Sequence, residues 1–177
     1  MPKRILRFII KLIDGALYGF IGPFSVLYII PQFLMKLVKI KTEEGFGIPS
    51  VKILGMIIMW SGTALAIWCA LLMLFFGQGT FLVTSAPKKI MTRNIYGHVR
   101  HPMMWALFTI VFGEILLFGH LILLVWLIAM VRIIYLIVHN YEEPQLDRRF
   151  GEAWTTYCQE VPAWIPKFSF RKGVVKK

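Results

Sequence analysis

The chain has 177 residues, of which 58% are hydrophobic and only 16% are charged, and its formal net charge is +11 at pH 7. A mean hydropathy of +0.68 is too high for a soluble domain of this length, so the composition indicates an integral membrane protein. The chain has two cysteines, Cys69 within an apolar run and Cys158 in a polar tail, which excludes a disulfide framework.

Four apolar runs predict an all-α membrane protein with about four transmembrane helices, since a helix needs about 20 apolar residues to span a bilayer. The runs cover residues 13–34, 53–76, 103–118 and 121–138. Pro23 and Pro31 predict kinks or a break in the first run. Only Gly119 and His120 separate the last two runs, which are slightly short. These two runs predict a helical hairpin whose tip stops at or below the far membrane surface.

The first run could also be a secretory signal, because the basic residues of "MPKR" precede it. Asp14 interrupts this run, which is also longer than a typical signal core, and no clean small-residue cleavage site follows. We therefore expect it to be part of the mature chain.

The basic residues are distributed unequally between the two sides of a four-span arrangement, which predicts its orientation. Fifteen fall on the side of the termini and of the segment before residue 101: Lys3, Arg4, Arg7, Lys11, Lys88, Lys89, Arg93, Arg100, Arg148, Arg149, Lys167, Arg171, Lys172, Lys176 and Lys177. Four fall on the other side: Lys36, Lys39, Lys41 and Lys52. The positive-inside rule therefore predicts a multi-pass protein with both termini in the cytosol. Membrane topology and anionic lipids explain the positive charge better than nucleic acid, for which no binding motif is present.

The segment "NIYGHVRHPMMW", residues 94–105, places several hydrogen-bond donors directly before the third run. Arg100 alone is typical of a membrane boundary, and Pro102 is typical of the first turn of a helix. His98 and His101 have the spacing of metal ligands, but no further convincing ligands accompany them, so no metal site is predicted.

A polar stripe is predicted along the last run and its continuation. On an α-helix, Arg132, Tyr135, His139, Glu142 and Glu143 fall within roughly 100° of one another. Ionisable residues in a span usually face the protein interior or a wet cavity. Arg132 has an alternative to facing the interior or a cavity, because its long side chain can extend to the membrane surface.

The segment after Pro144 predicts a short cytosolic amphipathic helix within "LDRRFGEAWTTYCQEV", residues 146–161. Leu146, Phe150, Trp154 and Tyr157 lie roughly on one face, which favours packing. The following "VPAWIP" is too rich in proline for a helix and predicts an extended cover across the face of the site.

These motifs together resemble the isoprenylcysteine carboxyl methyltransferase and phospholipid methyltransferase superfamily. The resemblance rests on "YGHVRHP" at 96–102, the hairpin, "EEPQL" at 142–146, "FG" at 150–151 and "VPAWIP" at 161–166. The order and spacing match over about residues 80–166. The chain is therefore expected to be one membrane domain: spans in 1–79, a methyltransferase core in 80–166 and a basic tail in 167–177.

The resemblance implies an enzyme that uses S-adenosylmethionine, bound on the cytosolic side between the RHP segment, residues 96–102, and the first glutamate of the pair, Glu142. The predicted cofactor-binding residues are Lys88, Lys89, Ile90, Met91, Tyr96, Arg100, His101, Pro102, Met103, Met104, Glu142 and Glu143. Arg132 and His139 are the predicted catalytic residues. The expected acceptor is lipophilic, either a prenylcysteine-like carboxylate or a lipid headgroup, and membrane lipids are the expected partners.

Two departures from the prenylcysteine enzymes leave the acceptor open. Val138 stands where those enzymes carry a substrate-binding arginine, and Met104 stands where they carry a tyrosine. Arg132 can replace that arginine, or the acceptor can be an amine, a thiol or another lipid-borne nucleophile. Two other classes remain as alternatives: a non-catalytic membrane scaffold or transport subunit, and a membrane reductase using a nicotinamide cofactor.

Overall fold

The computed structural model describes residues 24–39, 48–76 and 90–167, and within these ranges the regular structure is entirely helical. The α-helices are α1 (Ile30–Leu37), α2 (Pro49–Phe76), α3 (Pro102–Phe118), α4 (Leu121–Ile137), α5 (Glu143–Phe150) and α6 (Glu152–Glu160). π-helical turns precede α1 (Ser25–Ile29) and α5 (Val138–Glu142), and a 3-10 turn (Asn94–Gly97) precedes α3. Residues 13–23 of the first predicted run lie outside the described residues.

Two helical stretches among the described residues are long and apolar enough to cross a membrane. They are Pro49–Met73, and Leu121–Phe150, which joins α4, the π-helical turn and α5. Helix α3 has 17 residues and is about 26 Å long at 1.5 Å per residue, slightly shorter than the ~30 Å hydrocarbon core. The predicted all-α membrane architecture is confirmed, while four crossings and their orientation stay predictions.

Helices α2 and α3 approach each other closely through glycines. A Cβ atom on Gly113 would lie 2.6 Å from the Met59 nitrogen and 2.7 Å from the Gly55 carbonyl oxygen. A Cβ atom on Gly55 would lie 2.7 Å from the Leu117 nitrogen. Such small residues allow two membrane helices to pack backbone against backbone, which fixes α3 beside α2.

The hairpin between α3 and α4 turns at the two residues that the sequence predicts. Gly119 ends α3 in the left-handed conformation (φ 70°), and its N–H donates to the Ile115 carbonyl at 2.8 Å. His120 is extended, and α4 begins at Leu121. Glycine adopts this conformation without steric cost, so it allows a two-residue connection. The hairpin therefore returns the chain to the end of the molecule where α3 began.

The helical stretch that begins with α4 continues through the π-helical turn into α5, past Pro144, instead of ending before it. Proline lacks an N–H and clashes with the carbonyl four residues earlier, so a regular α-helix is disfavoured there. The π-helical turn Val138–Glu142 removes this conflict, since the Glu143 N–H bonds to the Val138 carbonyl, five residues back.

The amphipathic segment is helical, as predicted, but Gly151 divides it into α5 and α6. Gly151 has φ 52° and ψ −128°, a conformation that is open essentially only to glycine. The predicted apolar face survives this break. Trp154, Tyr157 and Val161 form a buried cluster, against which Leu146 and Phe150 pack.

Candidate functional site

The site lies where the turn before α3 meets the junction of α4 with α5. The residues between this turn and α3 contribute Arg100 and His101, and the junction contributes Glu142 and Glu143. The two segments are joined by side-chain contacts across more than 40 residues of sequence. The predicted juxtaposition of the RHP segment and the glutamate pair is therefore present in the structure.

The two glutamates hold the imidazole of His101 from opposite edges. His101 Nε2 donates to Glu143 Oε1 at 3.3 Å, and His101 Nδ1 lies 3.7 Å from Glu142 Oε1. Successive helical residues project about 100° apart, so two adjacent side chains can flank a ring. His101 is buried and leads directly into α3, where Pro102 occupies the first turn.

Glu143 and Glu142 differ in how far their carboxylates are already engaged. Glu143 Oε1 also accepts from Arg100 Nη1 at 2.7 Å, so one oxygen holds two donors. The Glu142 side chain is 40% exposed, and its Oε1 lies 3.7 Å from His101 Nδ1. Glu143 therefore joins the two segments, whereas Glu142 retains capacity to bind a ligand.

Arg100 connects the glutamate pair to α6. Its Nη1 donates to Cys158 Sγ at 2.8 Å, and its guanidinium lies 5.8 Å from the centre of the Trp154 ring, a cation–π distance. Burial raises the pKa of the Cys158 thiol in spite of the neighbouring Arg100. The thiol is therefore neutral near pH 7, which does not favour Cys158 as a nucleophile.

Tyr157 fixes α6 to the turn before α3. Its hydroxyl donates to the Tyr96 carbonyl at 2.6 Å in a buried position. Burial raises the pKa of Tyr157 above its ordinary value, so the phenol remains a donor throughout the physiological range. This bond and the Arg100–Cys158 contact hold the RHP segment against α6.

The segment 161–167 crosses the RHP segment as a strap, so the predicted cover is present, but the strap bends at residues 161 and 163–165 and is not extended throughout. The Arg100 N–H donates to the Pro162 carbonyl at 3.0 Å, and the Lys167 N–H donates to the His98 carbonyl at 2.9 Å. Between these two points, the Trp164 carbonyl accepts from Trp105 Nε1 at 2.7 Å. The strap is thus fixed by hydrogen bonds at three points.

An apolar groove runs between α3 and α4 below the strap. It has a volume of about 510 Å³, within the ~300–1,000 Å³ typical of ligand sites. Its lining residues are Trp105, Phe108, Thr109, Phe112, Leu127, Val131, Tyr135 and Trp164. The Thr109 hydroxyl donates a hydrogen bond to the Trp105 carbonyl, and the Trp105 indole donates one to the Trp164 carbonyl. The walls therefore present mainly hydrocarbon and aromatic surface.

A family comparison agrees with this architecture. The family model described as phospholipid methyltransferase matches residues 50–153, more than half of the chain. The chain belongs to the phospholipid methyltransferase family. Neither the curated proteins nor the solved structures include a significant match.

Membership makes the chain a membrane methyltransferase in general terms. The match extends from α2 into the first turn of α6, so it includes the hairpin, Arg100, His101 and both glutamates. The strap at 161–167 follows the matched region. The charged cluster, formed by Arg100, His101, Glu142 and Glu143, and most of the groove walls thus belong to the methyltransferase domain.

The other predicted cofactor residues lie in several different surroundings. Met91 and Tyr96 are buried and pack with Leu72 of α2. Ile90 packs against the α6 cluster. Met103 and Met104 are half-buried in the first turn of α3. Lys88 and Lys89 lie outside the described residues, and contact of any of these groups with a cofactor stays a prediction.

The predicted catalytic residues lie outside the charged cluster, Arg132 on α4 and His139 in the π-helical turn that follows it. Both are exposed. The guanidinium of Arg132 lies 5.9 Å from the centre of the Tyr135 ring, and the His139 ring stacks on Tyr135 with ring centres 6.0 Å apart. Tyr135 lines the groove, and Arg132 contacts Tyr135 without lining the groove itself, a position called the rim below. Val138, where prenylcysteine enzymes carry an arginine, is only 1% exposed.

Sequence reasoning did not assign a role at the site to Trp105, Phe108 or Trp164. Trp105 and Phe108 lie three residues apart on α3, a spacing that also fits simple helix packing. Trp164 stands within the predicted cover, but the sequence does not show which way its indole points. The paired aromatic residues directly after the RHP segment were the available signal for a groove.

Proposed function

We propose that this membrane methyltransferase uses S-adenosylmethionine and transfers its methyl group to an acceptor that is dissolved in the bilayer. The observation that supports this most directly is the position of Trp164. Its ring lies beside that of His101 in the charged cluster, with centres 5.7 Å apart and the two planes tilted by 32°, and it also lines the apolar groove. A polar ligand site and a hydrocarbon site therefore meet at one side chain.

The residues of the cluster fit S-adenosylmethionine chemically. The cofactor offers an ammonium group and ribose hydroxyls as donors, which require a carboxylate acceptor. Glu142 supplies a partly exposed carboxylate that Arg100 does not engage. His101 and the first turn of α3 lie beside it, and half-buried Met103 and Met104 provide apolar surface nearby.

The bound cofactor supplies a methyl group on a positively charged sulfur, which is released as a neutral thioether when the acceptor's lone pair bonds to the methyl carbon. The departing group is already activated, so catalysis depends mainly on alignment and exclusion of water. The chain supplies both functions with its own residues. The contacts of Glu143 with Arg100 and His101 fix the geometry of the charged cluster, and the strap covers the cluster from one side.

The groove provides the route for the acceptor. It lies between two apolar helices of the hairpin, and Trp105 and Phe112, seven residues apart on α3, bound about 10 Å of its length. An acceptor with a hydrocarbon chain can place that chain in the groove and its headgroup at the charged cluster. The excess of basic residues on the RHP side of the sequence supports a cytosolic location for this end.

Arg132 is proposed to bind the acceptor's headgroup from the rim of the groove. We expect Arg132→Ala to lower turnover of a lipophilic acceptor about tenfold, as typical for loss of a charge-assisted contact. The affinity for S-adenosylmethionine should change less than twofold, because Arg132 lies outside the charged cluster. Arg132→Lys should retain part of the activity, and Arg148→Ala, at another exposed arginine, serves as the control.

Methyl transfer from radiolabelled S-adenosylmethionine tests the proposal with purified protein in lipid vesicles. Total membrane lipid, prenylcysteine analogues and small water-soluble thiols are compared as acceptors under the same conditions. Label in the lipid or the prenylcysteine fraction supports the proposal and identifies the acceptor class. Label confined to the soluble thiols, with Arg132→Ala at the wild-type rate, would exclude both entry from the bilayer and the role given to Arg132.

A further inference from the structure

Trp164 occupies a position between four aromatic side chains of the two sites. On the cluster side, its ring centre lies 5.7 Å from that of His101. On the groove side, the distances are 6.5 Å to Phe108 and 6.0 Å to Tyr135. Trp105 contacts its carbonyl. The indole thus contacts both the imidazole of the charged cluster and the aromatic rings of the groove wall.

The backbone on either side of Trp164 is fixed, which limits movement of the indole. Arg100 holds the strap two residues before Trp164, and His98 holds it three residues after. The Trp105 indole contributes a further hydrogen bond of 2.7 Å at Trp164 itself. All three contacts come from the RHP segment or the first turn of α3, so Trp164 is set in place by the same segment that contributes His101.

We propose that Trp164 is a positioning residue for the acceptor: its indole closes the end of the groove and sets the depth at which the headgroup stops beside the charged cluster. This inference rests on the proposed function, because it requires an acceptor whose chain occupies the groove. A large flat ring suits this role, since it offers one face to hydrocarbon and its edge to a polar site.

Variants of Trp164 separate this role from a role in cofactor binding. In Trp164→Ala, the KM for a lipophilic acceptor should rise about tenfold, in line with the loss of several aromatic contacts. The Kd for S-adenosylhomocysteine, measured by calorimetry, should change less than twofold. Trp164→Phe should restore most of the acceptor KM. Trp60→Ala, which removes a tryptophan from the exposed face of α2, should behave as wild type.

A second measurement does not depend on activity. The difference in tryptophan fluorescence between wild type and Trp164→Phe gives the emission of Trp164. Phospholipids with brominated chains quench the fluorescence of indoles that contact the hydrocarbon of the bilayer. We expect this difference signal to be strongly quenched in brominated vesicles. An unquenched signal would overturn the inference, as would a parallel loss of cofactor and acceptor affinity in Trp164→Ala. Absence of methyl transfer in wild type would instead defeat the proposed function, while the quenching result would still show whether lipid reaches Trp164.

Discussion

Glu142→Gln is expected to weaken the binding of S-adenosylmethionine by about ten- to a hundredfold and to leave the thermal stability of the protein almost unchanged. The estimate corresponds to about 1.5–3 kcal/mol for a charge-assisted hydrogen bond. Glu142 has this selective effect because its carboxylate is 40% exposed and is not bonded to Arg100. His101→Ala should also weaken binding, since His101 lies between both glutamates.

Glu143→Gln is the matched control, since it makes the same chemical change one residue away. Its carboxylate accepts from Arg100 and His101, so we expect a lower unfolding temperature. Titration calorimetry gives the affinity, and thermal unfolding of the same detergent-purified samples gives the stability. Wild-type affinity in both Glu142→Gln and His101→Ala would exclude the assigned cofactor site.

Arg100→Met is expected to lower the free energy of unfolding by about 2 kcal/mol, because it leaves Glu143 without its closest partner and removes the contacts with Cys158 and Trp154. The two charged side chains are 14% and 21% exposed, so solvent screens their interaction only in part. Arg148→Met, at an exposed position of α5, should change the stability by less than about 0.5 kcal/mol.

A double-mutant cycle isolates the contribution of the Arg100–Glu143 pair. If the two residues interact as the structure shows, Glu143→Gln should cost much less in the Arg100→Met background than in wild type. Reversible unfolding in mixed micelles of lipid and detergent provides the four free energies. Additive effects of the two substitutions would indicate that this ion pair does not join the RHP segment to α5.

The membrane fold follows closely from the distribution of apolar residues. A bilayer requires long apolar helices whose backbone groups are satisfied internally, so hydropathy alone indicates where most of the helices lie. Gly119 was equally informative, because a short hairpin needs a residue that can adopt positive φ. Pro144 was less informative. The sequence shows that a regular helix is disfavoured there, but not that a π-helical turn lets the helix continue.

The composition of the site was predictable to a lesser extent. The family motif brought Arg100, His101 and the glutamate pair together, and the structure places these four side chains in contact. The resemblance assigned the cofactor carboxylate to Glu142, but the sequence did not show that Glu143 binds Arg100, because that contact depends on which glutamate faces Arg100. The rotation of a helix about its own axis is determined by packing across the whole hairpin, and one extra residue in a π-helical turn changes it.

The groove is the part of the site that the sequence reveals least. Its walls come from α3, α4 and the strap, which are separated by up to about 60 residues. Phe108 and Leu127 have the apolar character of any residue in a membrane helix, so composition does not distinguish a groove wall from a lipid-facing surface. Only the crossing of α3 and α4 and the position of the strap define the cavity.

Equilibrium binding of labelled S-adenosylmethionine to the purified protein in lipid micelles is the most direct test of the central claim. We predict one saturable site per chain, competed by S-adenosylhomocysteine but not by a nicotinamide dinucleotide, and weakened in Glu142→Gln. Absence of saturable binding, or displacement of the label by the nicotinamide dinucleotide, would contradict the assignment of the cluster of His101 and Glu142 as a site for S-adenosylmethionine.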